Sequence, residues 1–216
     1  MPVLYRMLKS TPFENNVERY DNWFEKYPLV YQSEINAIKS FVTGGFGLEV
    51  GVGTGRFALP LKVEIGLDPS FNMLRLAKER GVKVVRGFAE YLPFRSEVFD
   101  FVLFVTTICF VDNVYKSLEE AYRVLKHGGA IVVGFVDKES PLGKLYQHKR
   151  GQSVFYKEAR FYSVQELLDY MKKAGFSDFV IKETLFGESL DIPEVQPVED
   201  WSGRGSFVVI KGLKKS

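Results

Sequence analysis

The sequence predicts an α/β protein with a mostly parallel β-sheet, and three observations point to this fold class. Short apolar segments alternate with amphipathic, helix-like segments along most of the chain, which favours parallel strands joined by right-handed helical crossovers. The segment 99–105 is almost continuously apolar, as a strand covered on both faces should be. A glycine-rich turn at residues 51–55 joins the first predicted strand to a helix.

Composition and charge narrow the classes of function. With 216 residues, one domain is expected to bury roughly 70–75% of the surface of its unfolded chain. A net charge of +2 argues against a nucleic-acid partner, which normally requires a stronger basic excess. The single Cys109 excludes an internal disulfide and fits a reducing compartment. Since neither a signal sequence nor a run of 18 apolar residues is found, we expect a cytoplasmic protein without a membrane anchor.

Two amphipathic helices are predicted before the first strand. Thr11 and Glu14 have the spacing of a capping box, which predicts a helix over residues 12–26. A second helix is expected over residues 31–42. Because both precede the sheet, residues 1–45 are expected to form a helical cap over its mouth.

The remaining elements follow in chain order. Strands are predicted over residues 46–50, 63–67, 82–86, 99–105, 130–136, 176–185 and 206–213. A helix of about two turns is predicted after Gly55, and further helices are predicted over residues 70–80, 112–126 and 163–174. A turn is predicted at His127–Gly129. The last two strands have only a long, Pro-rich and acidic connection between them, so an antiparallel pair is expected. Residues 138–160 are given no assignment.

The glycine-rich turn indicates a nucleotide-like ligand. Glycine allows close approach to the backbone, and the start of the following helix offers free N–H groups. The dinucleotide fingerprint fails because Arg56 occupies the position of its third glycine, and no Gly-Lys-Ser/Thr of a phosphate loop follows. Glu49, just before the turn, would repel a pyrophosphate but complement a cationic ligand. A turn without any ligand is the alternative.

A series of motifs resembles class I S-adenosylmethionine-dependent methyltransferases, of the small-molecule group that includes ubiquinone- and menaquinone-biosynthesis enzymes. The motifs are LEVGVGTG at 48–55, IGLDPS at 65–70, GFAEYLPF at 87–94, YRVLKHGG at 122–129 and FYSVQELLDYMKKAGF at 161–176. The resemblance implies a Rossmann-like, seven-stranded, mostly parallel sheet with an antiparallel final strand and helices on both faces. The core is expected to span residues 46–216 within a single domain.

The resemblance also implies a binding site for S-adenosylmethionine. Asp68 matches the acidic residue that accepts both ribose hydroxyls, and its alternative role is a helix cap beside Ser70. Phe88 replaces an Asp that contacts the adenine, so Ala89 or Glu90 would supply that contact, and Phe88 either walls the adenine or packs in the core. The implied cofactor-binding residues are Glu49, Gly51, Gly53, Gly55, Asp68, Pro69, Met73, Ala89, Glu90 and Thr106.

The acceptor is expected to be a small molecule, because the motifs of adenine-, cytosine- and protein-arginine-methylating enzymes are missing. Thr106 or Thr107, after strand four, is expected nearest the reacting groups, and Cys109 is interpreted as a buried thiol. The candidate catalytic residues are Thr106 and His148, and no metal site is predicted. The aromatic residues Tyr20, Trp23, Tyr27 and Tyr31 either line the acceptor site, where they would suit an aromatic compound or a small amine, or pack between the helices.

Two other functions stay open from the sequence. A methyltransferase acting on RNA or protein is supported by the basic run around His148, where the histidine is either a general base or a solvated side chain. A cofactor-binding protein without transferase activity is supported by Phe88 and the short helix after Gly55. His127 is interpreted as a turn residue.

Overall fold

An eight-stranded sheet lies at the centre of the computed structural model, which describes residues 10–42 and 44–215. The strands are β1 (Gly47–Val50), β2 (Ile65–Asp68), β3 (Lys83–Arg86), β4 (Phe99–Val105), β5 (Leu125–Val136), β6 (Phe176–Phe186), β7 (Glu199–Asp200) and β8 (Gly205–Lys214). Their order is β3-β2-β1-β4-β5-β8-β6-β7, with β1 to β5 parallel and β8 antiparallel to both of its neighbours. The mostly parallel sheet and its antiparallel final strand are confirmed. The count is eight because the two-residue β7 pairs with β6 inside the long connection.

Helices cover both faces of the sheet, as predicted. They are α1 (residues 10–15), α2 (Val17–Lys26), α3 (Pro28–Lys39), α4 (Ala58–Leu61), α5 (Phe71–Glu79), α6 (Val114–Val124), α7 (Pro141–His148) and α8 (Val164–Lys173), with 3-10 turns at Arg150–Gln152 and Tyr156–Glu158. Alternate residues of β4 belong to two separate hydrophobic clusters. Val102 packs in the cluster with α6 and α8, whereas Leu103 packs in the cluster with α2 to α5. In the described part of the chain, every helix is too short or too polar to cross a bilayer.

The N-terminal helices differ from their prediction. Residue 10 is already helical, so Thr11 is not a helix cap, and the predicted helix over 12–26 is interrupted at Asn16. The Glu14 carboxylate does not close a capping box but accepts hydrogen bonds from the Ser70 hydroxyl at 2.5 Å and from the Asn72 N–H at 3.2 Å. The local pattern gave a wrong prediction because the hydrogen-bond partners of Glu14 lie at the start of α5. The first nine residues, with which the predicted cap begins, lie outside the described range.

Helix α3 begins earlier than predicted, at Pro28, where proline suits the first turn of a helix because it has no N–H to leave unpaired. The helix after Gly55 is one turn rather than two, and Lys62 ends it in a left-handed conformation with φ of 54°. The predicted turn at 127–129 belongs instead to β5, and a register shift against β4 between Phe99 and Phe101 accommodates it.

Two predicted helix starts are confirmed by side-chain hydrogen bonds. The Asn113 side chain accepts from the Lys116 N–H at 3.0 Å and caps α6. Ser163 and Glu166 form both hydrogen bonds of a capping box at the start of α8. The unassigned segment 138–160 contains α7 and both 3-10 turns, and it therefore adds structure beside the ends of β4 and β5.

Candidate active site

The main cavity opens at the carboxyl ends of β1, β2 and β4, where ligands bind in open α/β sheets. Its volume is about 830 Å³ including the open mouth. Of the predicted cofactor residues, those on its wall are Gly51, Gly53, Asp68, Pro69, Met73, Ala89, Glu90 and Thr106. Glu49 and Gly55 lie outside this wall.

The glycine turn requires its glycines for two different reasons. Gly51 has φ of 76°, and a Cβ there would lie 2.3 Å from the Thr107 side chain. Gly53 has φ of 53°, and a Cβ there would lie 3.1 Å from the Tyr20 hydroxyl. Gly55 also has positive φ, but its neighbours are Ala77 and Val82. Gly51 and Gly53 therefore shape the cavity floor, whereas Gly55 lets the turn pack against α5 and the start of β3.

Asp68, at the end of β2, is held by the backbone of both neighbouring turns. One carboxylate oxygen accepts from the Gly53 N–H at 3.0 Å and the other from the Ser70 N–H at 2.9 Å. Burial raises the pKa of Asp68 to about 6, and these two backbone hydrogen bonds oppose the rise. Because each oxygen has a second lone pair, the carboxylate can still accept from a diol. The contact with Ser70 and a role at the cavity wall are therefore compatible.

One carboxylate oxygen of Glu49 is buried without a hydrogen-bond donor among the described residues. Its side chain is 1% exposed, and Oε2 has no hydrogen-bond partner among the described residues. Burial, with the charge of Asp68 as a second cause, raises its pKa well above the usual range. A buried polar atom left unpaired costs about 1–3 kcal/mol. A cationic or hydrogen-donating ligand beside the glycine turn would remove this cost.

The far end of the cavity is formed by the loops after β3 and β4. Phe88 is half-buried on the wall beside Ala89. One oxygen of Glu90 accepts from the backbone N–H groups of Asp112 and Asn113, at 2.8 and 3.1 Å. Glu90 therefore ties the two loops together at the cavity edge.

Thr106 follows β4 in an unusual backbone conformation. Its φ is 50°, a left-handed value that costs a β-branched residue about 1–3 kcal/mol. The strained turn is fixed by the hydrogen bond from the Thr106 N–H to Gly134 O at 2.8 Å and by Thr107, whose hydroxyl contacts Gly51 O at 3.3 Å.

Cys109 is half-buried and contacts Thr106 O at 3.3 Å. Burial raises the pKa of Cys109 to about 12, so it is a neutral thiol at physiological pH.

Helix α2 is attached to the glycine turn through its Asp21. Its carboxylate accepts from the Thr54 hydroxyl at 2.7 Å and forms ion pairs with Arg56 at 2.5 Å and Arg80 at 2.6 Å. Burial acts to raise the pKa of Asp21, but the hydrogen bonds from Arg80, Arg56 and Thr54 outweigh it and hold that pKa well below its usual range. Glu14, bonded to the start of α5, is a second attachment point.

The four aromatic candidates of the cap take different positions. Tyr20 lies on the cavity wall, and the Tyr31 hydroxyl donates to Arg56 O at the glycine turn. Trp23 and Tyr27 contact each other, with ring centres 5.5 Å apart, and neither is on the wall. His148 is exposed at the end of α7 and lines neither of the cavities described here.

Several wall residues were not singled out by the sequence. Phe13 of α1 contacts Phe110 and Phe155, with ring centres 4.9 and 5.1 Å apart. A second cavity, of about 340 Å³, lies on the other side of Thr106. Its aromatic lining consists of Phe135, Tyr146, Tyr156, Phe161 and Tyr162. The aromatic residues of segment 138–160 were a signal for this site, but no local pattern indicates which of them meet. Within the described residues, no three His, Cys, Asp or Glu side chains are grouped so as to hold a metal ion.

Comparisons with known proteins place the site in context. The family model described as a methyltransferase domain matches residues 48–133. A crystallised Thermotoga maritima protein, named as a SAM-dependent methyltransferase and possible histamine N-methyltransferase, is 50% identical, with a TM-score of 0.93 and coverage of 96% of this chain and 100% of that one.

Two curated relatives extend this likeness. An uncharacterized protein of Methanocaldococcus jannaschii is 44% identical over 202 residues, which cover 94% of this chain and 98% of the relative. A demethylmenaquinone methyltransferase of Staphylococcus epidermidis is 27% identical over 200 residues, which cover 82% and 80% of the two chains.

Proposed function

The chain belongs to the S-adenosylmethionine-dependent methyltransferases, and we propose that its acceptor is a small molecule that carries an amino group. The observation that supports a small acceptor is the position of the cap. Tyr20 and Phe13 of the cap form part of the cavity wall, and Asp21 and Glu14 hold the cap against the sheet. A site covered in this way suits a small acceptor better than a folded macromolecule. The division into a cap, residues 1–45, and a core, residues 46–216, is part of this proposal.

The cavity fits the cofactor of the family. Its floor is formed by Gly51 and Gly53, whose positive φ and close approach to Thr107 and Tyr20 leave no room for a side chain. The oriented carboxylate of Asp68, on the wall, would accept from the ribose hydroxyls of the cofactor, and the buried Glu49, which does not line the wall, would add an unpaired acceptor behind the glycine turn. S-adenosylmethionine, when bound, supplies an electrophilic methyl group whose transfer leaves a neutral thioether.

The residues of the chain contribute by position rather than by a catalytic dyad. Orientation of two reactants at near-attack distance can supply about 7–11 kcal/mol. Thr106 is proposed to lie nearest the reacting groups, because it is on the wall of both cavities and is held in a strained turn. Phe13, Tyr20 and Phe110 line the cavity, and their aromatic rings would shield a cationic group from water and attract it.

The relatives indicate which acceptors to test. The Thermotoga protein is named as a possible histamine N-methyltransferase, which supports an amine. The Staphylococcus protein acts on demethylmenaquinone by its name, which makes a quinol the second candidate. Its lower identity and the buried carboxylates of this site favour the amine.

The decisive experiment is a turnover panel with S-adenosylmethionine. Histamine, tyramine and benzylamine are compared with a short-chain demethylmenaquinol, a phenol, tRNA and a basic peptide, and S-adenosylhomocysteine formation is measured for each. We expect turnover with at least one amine that exceeds every other acceptor class by at least about tenfold. Turnover restricted to the quinol, the phenol, RNA or peptide would replace the amine proposal. A cytoplasmic location is retained as a prediction, which cell fractionation tests.

A further inference from the structure

Helix α1 is attached to the protein differently from helix α2. Each residue of α1, over 10–15, is at least partly exposed, whereas α2 buries Asp21 and Phe24. The two helices are separated at Asn16, whose φ of −133° and ψ of 40° are not helical. Segments with few buried contacts open locally at the lowest cost in free energy. This distribution of burial favours an α1 that opens about Asn16 while α2 stays in place.

Helix α1 also bridges two loops that border the main cavity. On one side, the Glu14 carboxylate accepts from the Ser70 hydroxyl at 2.5 Å and from the Asn72 N–H at 3.2 Å, and the Asn72 side chain donates to Glu14 O at 3.1 Å. On the other side, the ring of Phe13 packs against that of Phe110, with centres 4.9 Å apart. Phe13 and Phe110 are both on the cavity wall. The helix therefore links the loop after β2 to the loop after β4 across the cavity.

Ser70 connects Glu14 to Asp68. The Ser70 N–H donates to one carboxylate oxygen of Asp68 at 2.9 Å, while the Ser70 hydroxyl donates to Glu14 and accepts from the Met73 N–H at 3.2 Å. Hydrogen bonds to an ionised carboxylate are stronger than those between neutral groups. Because one residue serves both carboxylates, the position of α1 and the orientation of Asp68 depend on each other.

We propose that α1 is a lid over the bound cofactor, and that Glu14 is the positioning residue that holds this lid closed and orients Asp68 through Ser70. The inference rests on the assignment of the main cavity to S-adenosylmethionine and is independent of the acceptor. It assigns the exchange of cofactor to the movement of α1, about one and a half turns of helix, rather than to the whole cap. Substitution of Glu14 should affect the cofactor as well as the cap.

Lid closure and cofactor binding must favour each other by the same factor. A ligand in the main cavity contacts Ser10 and Phe13, which are on its wall, only when α1 is closed. A ligand that binds the closed form better shifts the protein toward that form. By linkage, a substitution that opens α1 weakens the ligand to the extent that it destabilises the closed form. The two effects can be measured separately.

The first test measures S-adenosylhomocysteine affinity by calorimetry. Glu14→Ala should weaken binding by about 5- to 20-fold. Glu14→Gln should lose less, because its amide oxygen can still accept from Ser70 and Asn72. The control is Glu18→Ala, which makes the same change at an exposed position of α2 and should bind like the wild type.

A second variant reaches the lid from the other side of the contact. Asn72→Ala removes the donor to Glu14 O, and its side chain is not on the cavity wall. It should nevertheless weaken S-adenosylhomocysteine by about 2- to 5-fold. The double variant with Glu14→Ala should lose less than the product of the two single losses, because both substitutions act through α1.

The second test measures lid opening directly, by chymotrypsin cleavage after Phe13 followed by mass spectrometry. The Phe13 ring is half-buried on the cavity wall, so cleavage requires that α1 opens, and its rate reports the population of the open form. Saturating S-adenosylhomocysteine should slow this cleavage at least about tenfold. Asn72→Ala, which leaves the cleavage site unchanged, should speed it about 2- to 5-fold without ligand. Cleavage after Phe24 of α2 is the internal comparison and should be slower in every sample.

The outcomes separate this inference from the function of the protein. If the wild type binds S-adenosylhomocysteine but Glu14→Ala binds it equally well, the Glu14 assignment is wrong and the cofactor site stands. Equal protection of the sites after Phe13 and Phe24 by the ligand would exclude a separate lid. If the wild type does not bind S-adenosylhomocysteine, the assignment of the cavity fails and this inference fails with it.

The melting temperature without ligand distinguishes a lid from a structural support. Since no residue of α1 is fully buried, Glu14→Ala should melt within about 2 °C of the wild type. A larger decrease that Glu14→Gln does not reduce would mean that Glu14 stabilises the fold in general and would overturn the proposal.

Discussion

The two sides of the cavity are built in different ways. The cofactor side consists of two consecutive turns, at Gly51–Gly55 and Asp68–Ser70, whose shape is set by backbone conformation and by backbone hydrogen bonds to Asp68. The other side, which we propose holds the acceptor, consists of side chains from α1, α2 and the loop after β4, held together by aromatic contacts such as that between Phe13 and Phe110. The first side follows from the order of residues along the chain. The second exists only when distant segments meet.

This difference has a consequence for specificity. A surface made of backbone groups tolerates few changes, and it suits a ligand that every member of the family shares. A surface made of side chains can change residue by residue while the fold is kept, so it is where the acceptor is selected. Substitutions should therefore separate into those that affect the cofactor and those that affect the cap or the acceptor.

The largest effect is expected for Gly51→Ala on the cofactor side. A Cβ at Gly51 would lie 2.3 Å from the side chain of Thr107, in a backbone conformation with φ of 76°. We expect S-adenosylhomocysteine binding to weaken by at least about 100-fold, since the floor of the cavity must shift. Calorimetric titration measures this loss. Gly81→Ala is the control, because Gly81 has φ of 96° but nothing within 4 Å of an added Cβ. An equal loss of affinity in both variants would show that backbone strain alone, rather than the contact with Thr107, weakens binding.

The next effect concerns the attachment of the cap. Asp21→Asn leaves Arg56 and Arg80 without their shared charge partner, and we expect a loss of about 2–3 kcal/mol in the free energy of unfolding. Because the pKa of Asp21 is lowered by folding, this difference is present above about pH 4 and disappears as the pH falls through the folded value. Urea denaturation at pH 7 and at acidic pH measures both.

Glu25→Gln provides the comparison for this variant. Glu25 also pairs with Arg56, at 2.7 Å, but its side chain is 69% exposed, so its contribution should stay below about 1 kcal/mol. Equal destabilisation by both substitutions would mean that the cap is held by general charge attraction rather than by the buried Asp21 carboxylate.

A smaller effect is expected for Asp68→Asn, which keeps an acceptor oxygen but removes the charge. S-adenosylhomocysteine affinity should fall by about 10- to 100-fold. The test is sharper with the 2′-deoxyribose analogue of S-adenosylhomocysteine. This analogue should bind the wild type more weakly than S-adenosylhomocysteine does, but it should bind Asp68→Asn no more weakly than S-adenosylhomocysteine does. Wild-type affinity should also decrease below about pH 6, as the raised pKa of Asp68 predicts. An unchanged penalty for the deoxy analogue in the variant would exclude the ribose contact.

The smallest effect is expected for His148→Ala. The imidazole is exposed at the end of α7 and lines neither cavity, so kcat/KM for the best amine should stay within about twofold of the wild type. A large loss of kcat/KM with unchanged cofactor affinity would restore His148 as a catalytic residue and would require the cap and α7 to rearrange on binding.

The sequence predicted the cofactor side more completely than the acceptor side. Glycine spacing and the acidic residue at the end of β2 place Gly51, Gly53 and Asp68 on one cavity because all of them lie at the carboxyl ends of neighbouring parallel strands. The aromatic candidates were harder to separate. Tyr20 reaches the cavity wall whereas Trp23, three residues later, does not, and the difference depends on how the helix is rotated against the sheet.

The burial of Glu34 on α3 was not identified from the sequence at all. A glutamate between apolar residues of an amphipathic helix resembles any residue at the edge of the buried stripe, so its burial cannot be recognised without the neighbouring helix. The same reason explains the failed capping box at Thr11. Glu14 has the right spacing for a local bond, but α5 offers two donors at 2.5 and 3.2 Å instead.

The sequence by itself determined the order of the five parallel strands and of the helices between them, the glycine turn, the position of Asp68 and the capping box at Ser163. These features depend on backbone preferences and on residues a few positions apart, which the chain carries in any conformation. Only the tertiary structure decided that His127–Gly129 would extend β5, that Asp21 would pair with two arginines, and that Glu34 of α3 would be buried. These features depend on burial and on contacts between distant side chains, which exist only after the sheet and its cap have packed together.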